Sequence, residues 1–174
     1  MANCALTQDF ILDCRNGIGG LKVIYLIELA NVISVTDSSG TLTAITKATG
    51  KIFRKYQLEL DTSTIEEDGV GSRTNGTFFV NQTGTIILNN QSASIRNEVL
   101  LLSRNRIGLV AIDFNGNAQY YGREQGLMIT AAKAVKGTAW GDRNGYSLTL
   151  VGMEREYAPF IDAATQLTLQ TPGT

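Results

Sequence analysis

The chain has 174 residues, 43% of them hydrophobic, which is the size of one domain with enough apolar content for a core. Fifteen Lys plus Arg against sixteen Asp plus Glu leave a formal charge of -1, so the bulk balance does not point to a surface built to grip nucleic-acid phosphates. No histidine occurs, which removes the commonest general base, the commonest neutral metal ligand and every Ser-His or Cys-His pairing, so the expectation is a protein that is not an enzyme and carries no metal or cofactor.

Eighteen glycines, two prolines and many threonines and branched aliphatics describe strands punctuated by turns. The start, MANCALTQDFILDCR, has no basic region followed by an apolar run, and no stretch reaches the ~20 apolar residues of a membrane span. A chain made and kept soluble, with no membrane partner, is the expectation. Cys4 and Cys14 are too few for a four-ligand zinc site and are expected to be reduced packing residues. NGIGG, at residues 16–20, precedes a strand where a phosphate loop would need a helix N-terminus, so its glycines are turn residues.

GGLKVIYLIEL sets Leu21, Val23, Tyr25, Ile27 and Leu29 on one face and Ile24 and Leu26 on the other, the pattern of a central strand covered on both sides. NVISVTDSSGTLTAIT predicts two strands around a turn at residues 37–40. In GKIFRKYQLELD, Gln57, Glu59 and Asp61 alternate with Tyr56, Leu58 and Leu60, so one face of a strand is wet and the other meets a core. Residues 62–75 hold adjacent acids, several glycines and little apolar content, which predicts a long mobile loop. TFFVNQTGTIILN resumes the alternation, with Phe78, Val80, Ile86 and Leu88 inward and Asn81, Thr83 and Thr85 outward. It would pair with the preceding strand as a long hairpin whose tip is that loop.

The period then changes. Ile95, Val99 and Leu102, joined by Leu101, fall at helical spacing, and Ser92 or Ser94 can cap the helix N-terminus. Asn115-Gly116 lies between two strand-like runs and predicts a tight hairpin of type I′. Residues 127–155 read as a further pair of strands joined through a glycine-rich stretch, with WGDRNGYSLTLVGMEREYAPF on the last ladder of a sheet. The tail, residues 162–174, is polar and would stay loose or dock on a neighbour. The sum is one mainly β (α+β) domain: an antiparallel sandwich or barrel with one flanking helix.

The carboxylates do not form a recognisable site. Glu66, Glu67 and Asp68 lack the alternating oxygen ligands of a calcium loop, and Asp142, Glu154 and Glu156 show no paired-acid spacing. Glu154, Arg155 and Glu156 fit either a charged strand end or an ion-pair contact with another subunit. Trp140, the sole tryptophan, sits in a loop with Asp142 and Arg143 and is favoured as an interface anchor over a core cap.

Three stretches carry a resemblance: CALTQDFILDCRNGIGGLKVIYLIELANV, ASIRNEVLLLSRNRIGLVAIDFNGNAQYYGREQGLMIT and GDRNGYSLTLVGMEREYAPF. Together they span most of the chain, which resembles bacteriophage tail tube proteins and related virion ring proteins, particularly those of phages of gut Bacteroides-type hosts. The resemblance implies a structural virion protein, assembled in the host cytoplasm, whose strands join those of identical neighbours in a ring, hexameric in this family. Rings stack into the tail tube through which the genome leaves. The implied partners are identical copies, other tail or neck proteins, and DNA sliding through the lumen without specific binding.

By the same resemblance, Glu66, Glu67, Asp68, Gly69, Gly71 and Arg73 belong to a loop that contacts the adjacent ring. Gln57, Glu59, Asp61, Asn81, Thr83 and Thr85 are the candidate lumen face, since a conduit for a polyanion should lack clustered Lys and Arg. Trp140, Asp142, Arg143, Glu154, Arg155 and Glu156 are the candidate subunit interface. Two other expectations stand beside this one: a tail terminator or head-tail connector ring, and, from a different class, a small β-barrel binding module for a ligand or carbohydrate using Trp140, Tyr120 and Tyr121.

Overall fold

The computed structural model describes residues 8–11, 15 and 17–173; Cys4 and Cys14 lie outside them. The chain is mainly β, 51% strand against 12% helix, so the alternating patterns rather than the single helical period decide the architecture. In chain order the strands are β1 (Leu21–Glu28), β2 (Val32–Ser38), β3 (Thr41–Lys47), β4 (Arg54–Gln57), β5 (Thr64–Ser72) and β6 (Thr77–Asn89). Helix α1 (Ala93–Leu102) follows, then β7 (Ile107–Asp113), β8 (Ala118–Tyr121), β9 (Met128–Val135), β10 (Gly145–Glu154), β11 (Phe160–Ile161) and a short helix α2 (Ala163–Thr168).

Two sheets result, in the orders β2-β3-β11-β8-β7-β1-β4 and β5-β6-β10-β9. Neither closes on itself, so the architecture is sandwich-like and not a barrel. The first core lies between the sheets, where Ile24, Leu26, Leu109 and Ala111 of one meet Ile86, Leu148 and Leu150 of the other. Each such side chain contributes about 1.5–3 kcal/mol when fully buried. Helix α1 adds Val99 and Leu102 to that core; Ser92 is its N-cap, accepting from the Ile95 amide at 3.2 Å. Leu101, expected on the apolar stripe, is 54% exposed, while Val99 and Leu102 are the buried residues of the helix.

A second core covers the opposite face of the seven-stranded sheet, with Ile27, Leu42, Phe53, Val110 and Tyr120 packed against Leu169. Strand β1 therefore is covered on both sides, as its alternation implied. The β2–β3 turn has Ser39 at φ 53° and Gly40 at φ 81°, the two positive angles a type I′ hairpin requires.

Several expectations are corrected. Residues 62–75 are not a loop: β5 pairs with β6 in unbroken register from Thr64↔Thr85 to Ser72↔Thr77. Its acids alternate, Glu66 and Asp68 outward and Glu67 inward, and the ladder plus the partners of Glu67 offset the ordering entropy that composition alone suggested. The hairpin partner of β6 is consequently β5, whereas β4 is short and pairs with β1. The stretch after Trp140 forms β10, which lies inside its sheet between β6 and β9 rather than on the last ladder.

The β7–β8 turn occurs at Asn115-Gly116 but only Gly116 has positive φ, 88°. The Asp113 carboxylate accepts from the Asn117 amide at 2.8 Å, which favours a type I turn followed by a bulge. The tail is not loose. Asp162 caps α2 by accepting from the Thr165 amide at 2.7 Å, Leu169 is 1% exposed, and the Phe53 amide donates to Leu169 O at 3.0 Å.

Lys47 fastens the same tail. It is 5% exposed, and its Nζ donates to Thr168 O at 2.5 Å, Leu169 O at 3.3 Å and Thr171 O at 2.7 Å. A cation at the carbonyl end of a helix is well placed against the helix dipole, while burial holds the amine below its usual range.

Candidate assembly surface

The four-stranded sheet presents a face away from the core. Paired residues share a face, so the outward rows are Thr64–Thr85–Thr149–Ala131, then Glu66–Thr83–Val151–Met128, then Asp68–Asn81–Met153. Hydroxyls, amides and small apolar groups alternate with two carboxylates along it. Lys133, opposite Ser147, is the cation on this face among these strands. Such a surface is polar, with two carboxylates and one lysine among these strands.

Both edges of this sheet are open. β5 has nine residues and β9 eight, and every β9 residue from Thr130 to Ala134 is exposed. Edge strands of monomeric proteins are ordinarily kept very short, bulged away or loaded with charge. The edge strand β4 of the other sheet fits that description, with four residues including Arg54 and Lys55. Strand β9 has one lysine, three alanines and a bulge at Thr130, and β5 carries Glu66, Glu67 and Asp68, so both are long open edges with partial protection.

The predicted residues separate on this frame. Asn81, Thr83 and Thr85 do lie together, on the outward face, but Gln57 belongs to β4 of the other sheet, and Glu59 and Asp61 lie in the connection that follows it. The six do not make one lining. Of the expected loop residues, Glu66 and Asp68 join Asn81 and Thr83 on the outward face. Glu67 faces inward, where its Oε1 accepts from Gln82 Nε2 at 2.9 Å and from the Ala158 amide at 2.8 Å. Gly69 lies beneath two aromatic rings: a Cβ there would come within 2.3 Å of the Tyr157 hydroxyl and 3.2 Å of Phe78. Gly71 stands opposite Phe78, and Arg73 is in the turn, so only Arg73 keeps the loop setting expected of the group.

The expected interface group divides too. Glu154 is 6% exposed and turned inside, accepting from the amides of Glu124, at 3.1 Å, and Gln125, at 2.9 Å. It is a fold residue, not a free strand end. Arg155 pairs with Glu124 at 3.4 Å on the surface, and Glu156 is exposed. Trp140 is fully exposed, so a core-cap role is excluded. Asp142 is directed at its own loop, where the Ala139 and Thr138 amides and the Thr138 hydroxyl hold its carboxyl below the usual range.

Tyr120 and Tyr121 are core residues, 0% and 6% exposed, so neither joins Trp140 on a ligand surface. A groove of about 230 Å³ runs between β4 and α1, with Glu28, Arg54, Tyr56 and Glu98 on its walls. Its one polar contact of note is Tyr56 Oη donating to Glu98 at 3.2 Å; burial, then the Glu98 charge, holds that phenol protonated well above its ordinary range. Such a phenol is neither a nucleophile nor a base near neutral pH. Among the described residues, no group of three or more His, Cys, Asp or Glu is placed to hold a metal ion, and no helix is long and apolar enough to cross a membrane.

Sequence reasoning passed over the exposed pair Phe78 and Tyr157, whose ring centroids are 6.4 Å apart over Gly69, while Val70, opposite Phe79, is exposed on the other face of the sheet. The pair's signal was present as an unpaired apolar excess at the start of β6. Comparison with protein families, with curated proteins and with solved structures found no match for this chain.

Proposed function

We propose that the protein is a structural virion subunit that closes rings with identical copies and stacks them into a phage tail tube, a conduit for genome ejection. The observation that carries this reading is the four-stranded sheet with two long open edges, β5 and β9, on either side of a small-residue polar face. Pairing β5 of one copy with β9 of the next satisfies both edges by the same contact, which is the heterologous geometry that generates a ring.

The dimensions are suitable. Six copies would contribute about 24 strands, and at ~4.8 Å per strand the closed sheet has a circumference of about 115 Å. Barrels of about 16–18 strands already hold open water-filled channels. The outward face would then line the bore, with Glu66, Asp68, Asn81, Thr83 and Thr85 toward DNA and no clustered cations to trap it.

Negative-stain microscopy of the purified protein across a concentration series tests the proposal. Tubes growing from rings support it; single closed rings at every concentration would assign the protein instead to a terminator or connector position. Replacing Glu66 and Asp68 with lysine should leave ring formation intact and impair DNA passage in infectivity assays. Unaltered infectivity would remove those residues from the lumen.

A further inference from the structure

Three of the chain's four Asn-Gly pairs lie among the described residues: Asn75-Gly76, Asn115-Gly116 and Asn144-Gly145. Such a pair carries its own chemistry. The glycine amide nitrogen can attack the asparagine carboxamide carbon, unhindered because glycine has no Cβ. The two residues are the same at all three places, so the fold decides which pair is free to react.

Asn115 is held at both reacting ends. Its Oδ1 accepts from the Ile18 amide at 2.9 Å, and its Nδ2 donates to Ile18 O at 2.6 Å and to Asp113 Oδ2 at 3.1 Å. The nucleophile is engaged as well, the Gly116 amide donating to Asp113 O at 3.2 Å. Asn144-Gly145 is fixed in another way. Gly145 is buried in β10 between Asn89 and Val135, and the Asn144 carbonyl accepts from the Asn90 amide at 2.7 Å. The peptide plane that joins this pair is therefore clamped by the ladder.

Asn75-Gly76 has neither restraint. Both residues are exposed in the turn between β5 and β6. The Asn75 amide donates to Ser72 Oγ at 3.3 Å, but neither the Asn75 carboxamide nor the Gly76 amide has a hydrogen-bond partner among the described residues. Gly76 has φ 63°, and no atom lies within 4 Å of the place a Cβ would take. The reacting groups have room to approach.

We propose that Asn75 is a self-modifying site that converts to aspartate and isoaspartate through a succinimide. The Gly76 nitrogen loses its proton to hydroxide and bonds to Cγ of Asn75; the Cγ–Nδ2 bond breaks, and the amide group leaves as ammonia with a proton taken from water. Water then opens the ring, at the side-chain carbonyl to give aspartate or at the main-chain carbonyl to give isoaspartate. Water is consumed, ammonia is released and nothing is oxidised or reduced. Either product sets a new carboxylate two residues from Arg73, at the tip of the hairpin that carries the open edge β5. Isoaspartate also lengthens the backbone of the turn that closes at Ser72↔Thr77. The proposal does not depend on the tail-tube reading.

Trypsin separates the pairs, since cleavage after Arg73, Arg106 and Arg143 leaves Asn75, Asn115 and Asn144 in different peptides. Folded protein aged at mildly alkaline pH and mapped by tandem mass spectrometry should convert Asn75 at least about tenfold faster than Asn115 or Asn144, whose hydrogen bonds must open first. The Asn75 rate should rise with pH. In denaturant the three rates should draw together, because only local sequence then remains. Asn75→Gln should remove the fast site and leave the circular dichroism unchanged. Equal rates at the three pairs in folded protein, or a faster Asn115 or Asn144, would overturn the proposal. So would an Asn75 that converts in denaturant and stays intact in the folded chain.

Discussion

Gln82 donates from Nε2 to Glu67 at 2.9 Å while its Oε1 accepts from the Gly122 amide at 2.9 Å, so one fully buried side chain fastens β5 and β6 to the end of β8 in the other sheet. The link is polar in an otherwise apolar space, and its parts are mutually satisfied. Removing one end strands the others.

Gln82→Ala should accordingly destabilise the monomer by about 2–4 kcal/mol, since it leaves the Gly122 amide and one Glu67 bond without a partner and opens a void. Glu67→Gln should cost less, because a neutral Oε1 still accepts from Ala158 and Gln82. Denaturant unfolding of the two variants checks the order; equal losses would show that the network is not what joins the sheets.

Lys47→Met should loosen the tail without unfolding the sheets. Three carbonyl groups lose their donor, at about 1–3 kcal/mol for each that stays buried. Proteolysis limited to residues after 161 in the variant, with unchanged β-sheet circular dichroism, is the expected outcome.

Two glycines four residues apart in the chain, Gly141 and Gly145, should behave oppositely. A Cβ on Gly145 would meet Leu88 O at 2.1 Å, and backbone cannot yield, so Gly145→Ala should cost about 1–3 kcal/mol. Around Gly141 nothing lies within 4 Å, and Gly141→Ala should stay within about 0.5 kcal/mol of the parent. Thermal unfolding distinguishes them.

The Trp140 loop should be acid-sensitive. The Ala139 amide first, then Thr138, holds the Asp142 carboxyl below its ordinary range. A depressed folded-state pKa adds order above the usual carboxylate range, and that order is lost as pH falls through the depressed value. Trp140 fluorescence anisotropy should drop in that acid window, and Asp142→Asn should show the lower anisotropy at neutral pH. No change in the variant would mean that the loop is held by other contacts.

Strand period, the helix and two hairpins were legible in the sequence because each rests on local chemistry: both faces of Leu21–Glu28 apolar, Ile95 and Val99 four apart, glycine at the turns. The β5 strand was not, because Glu66, Glu67 and Asp68 are acidic whichever way they point, and only the distant Gln82 and Ala158 give Glu67 a reason to turn inward. Glu154 was misread for the same reason, its amide partners lying about thirty residues earlier in the chain. Likewise, Gln57, Glu59 and Asp61 follow the outward pattern of Asn81 and Thr83, but alternation reports which side is wet and not which sheet a strand joins. The polar face was legible in part; the Phe78 and Tyr157 pair joins residues far apart in the chain and needed the tertiary structure.

Amide hydrogen exchange at the two sheet edges tests the account most directly. In dilute protein the outward-pointing amides of β5 and β9 should exchange quickly, and on assembly both strands should become protected together while β2 and β4 do not change. Multimers in which β5 and β9 remain as exchangeable as in the monomer would contradict sheet completion by identical copies.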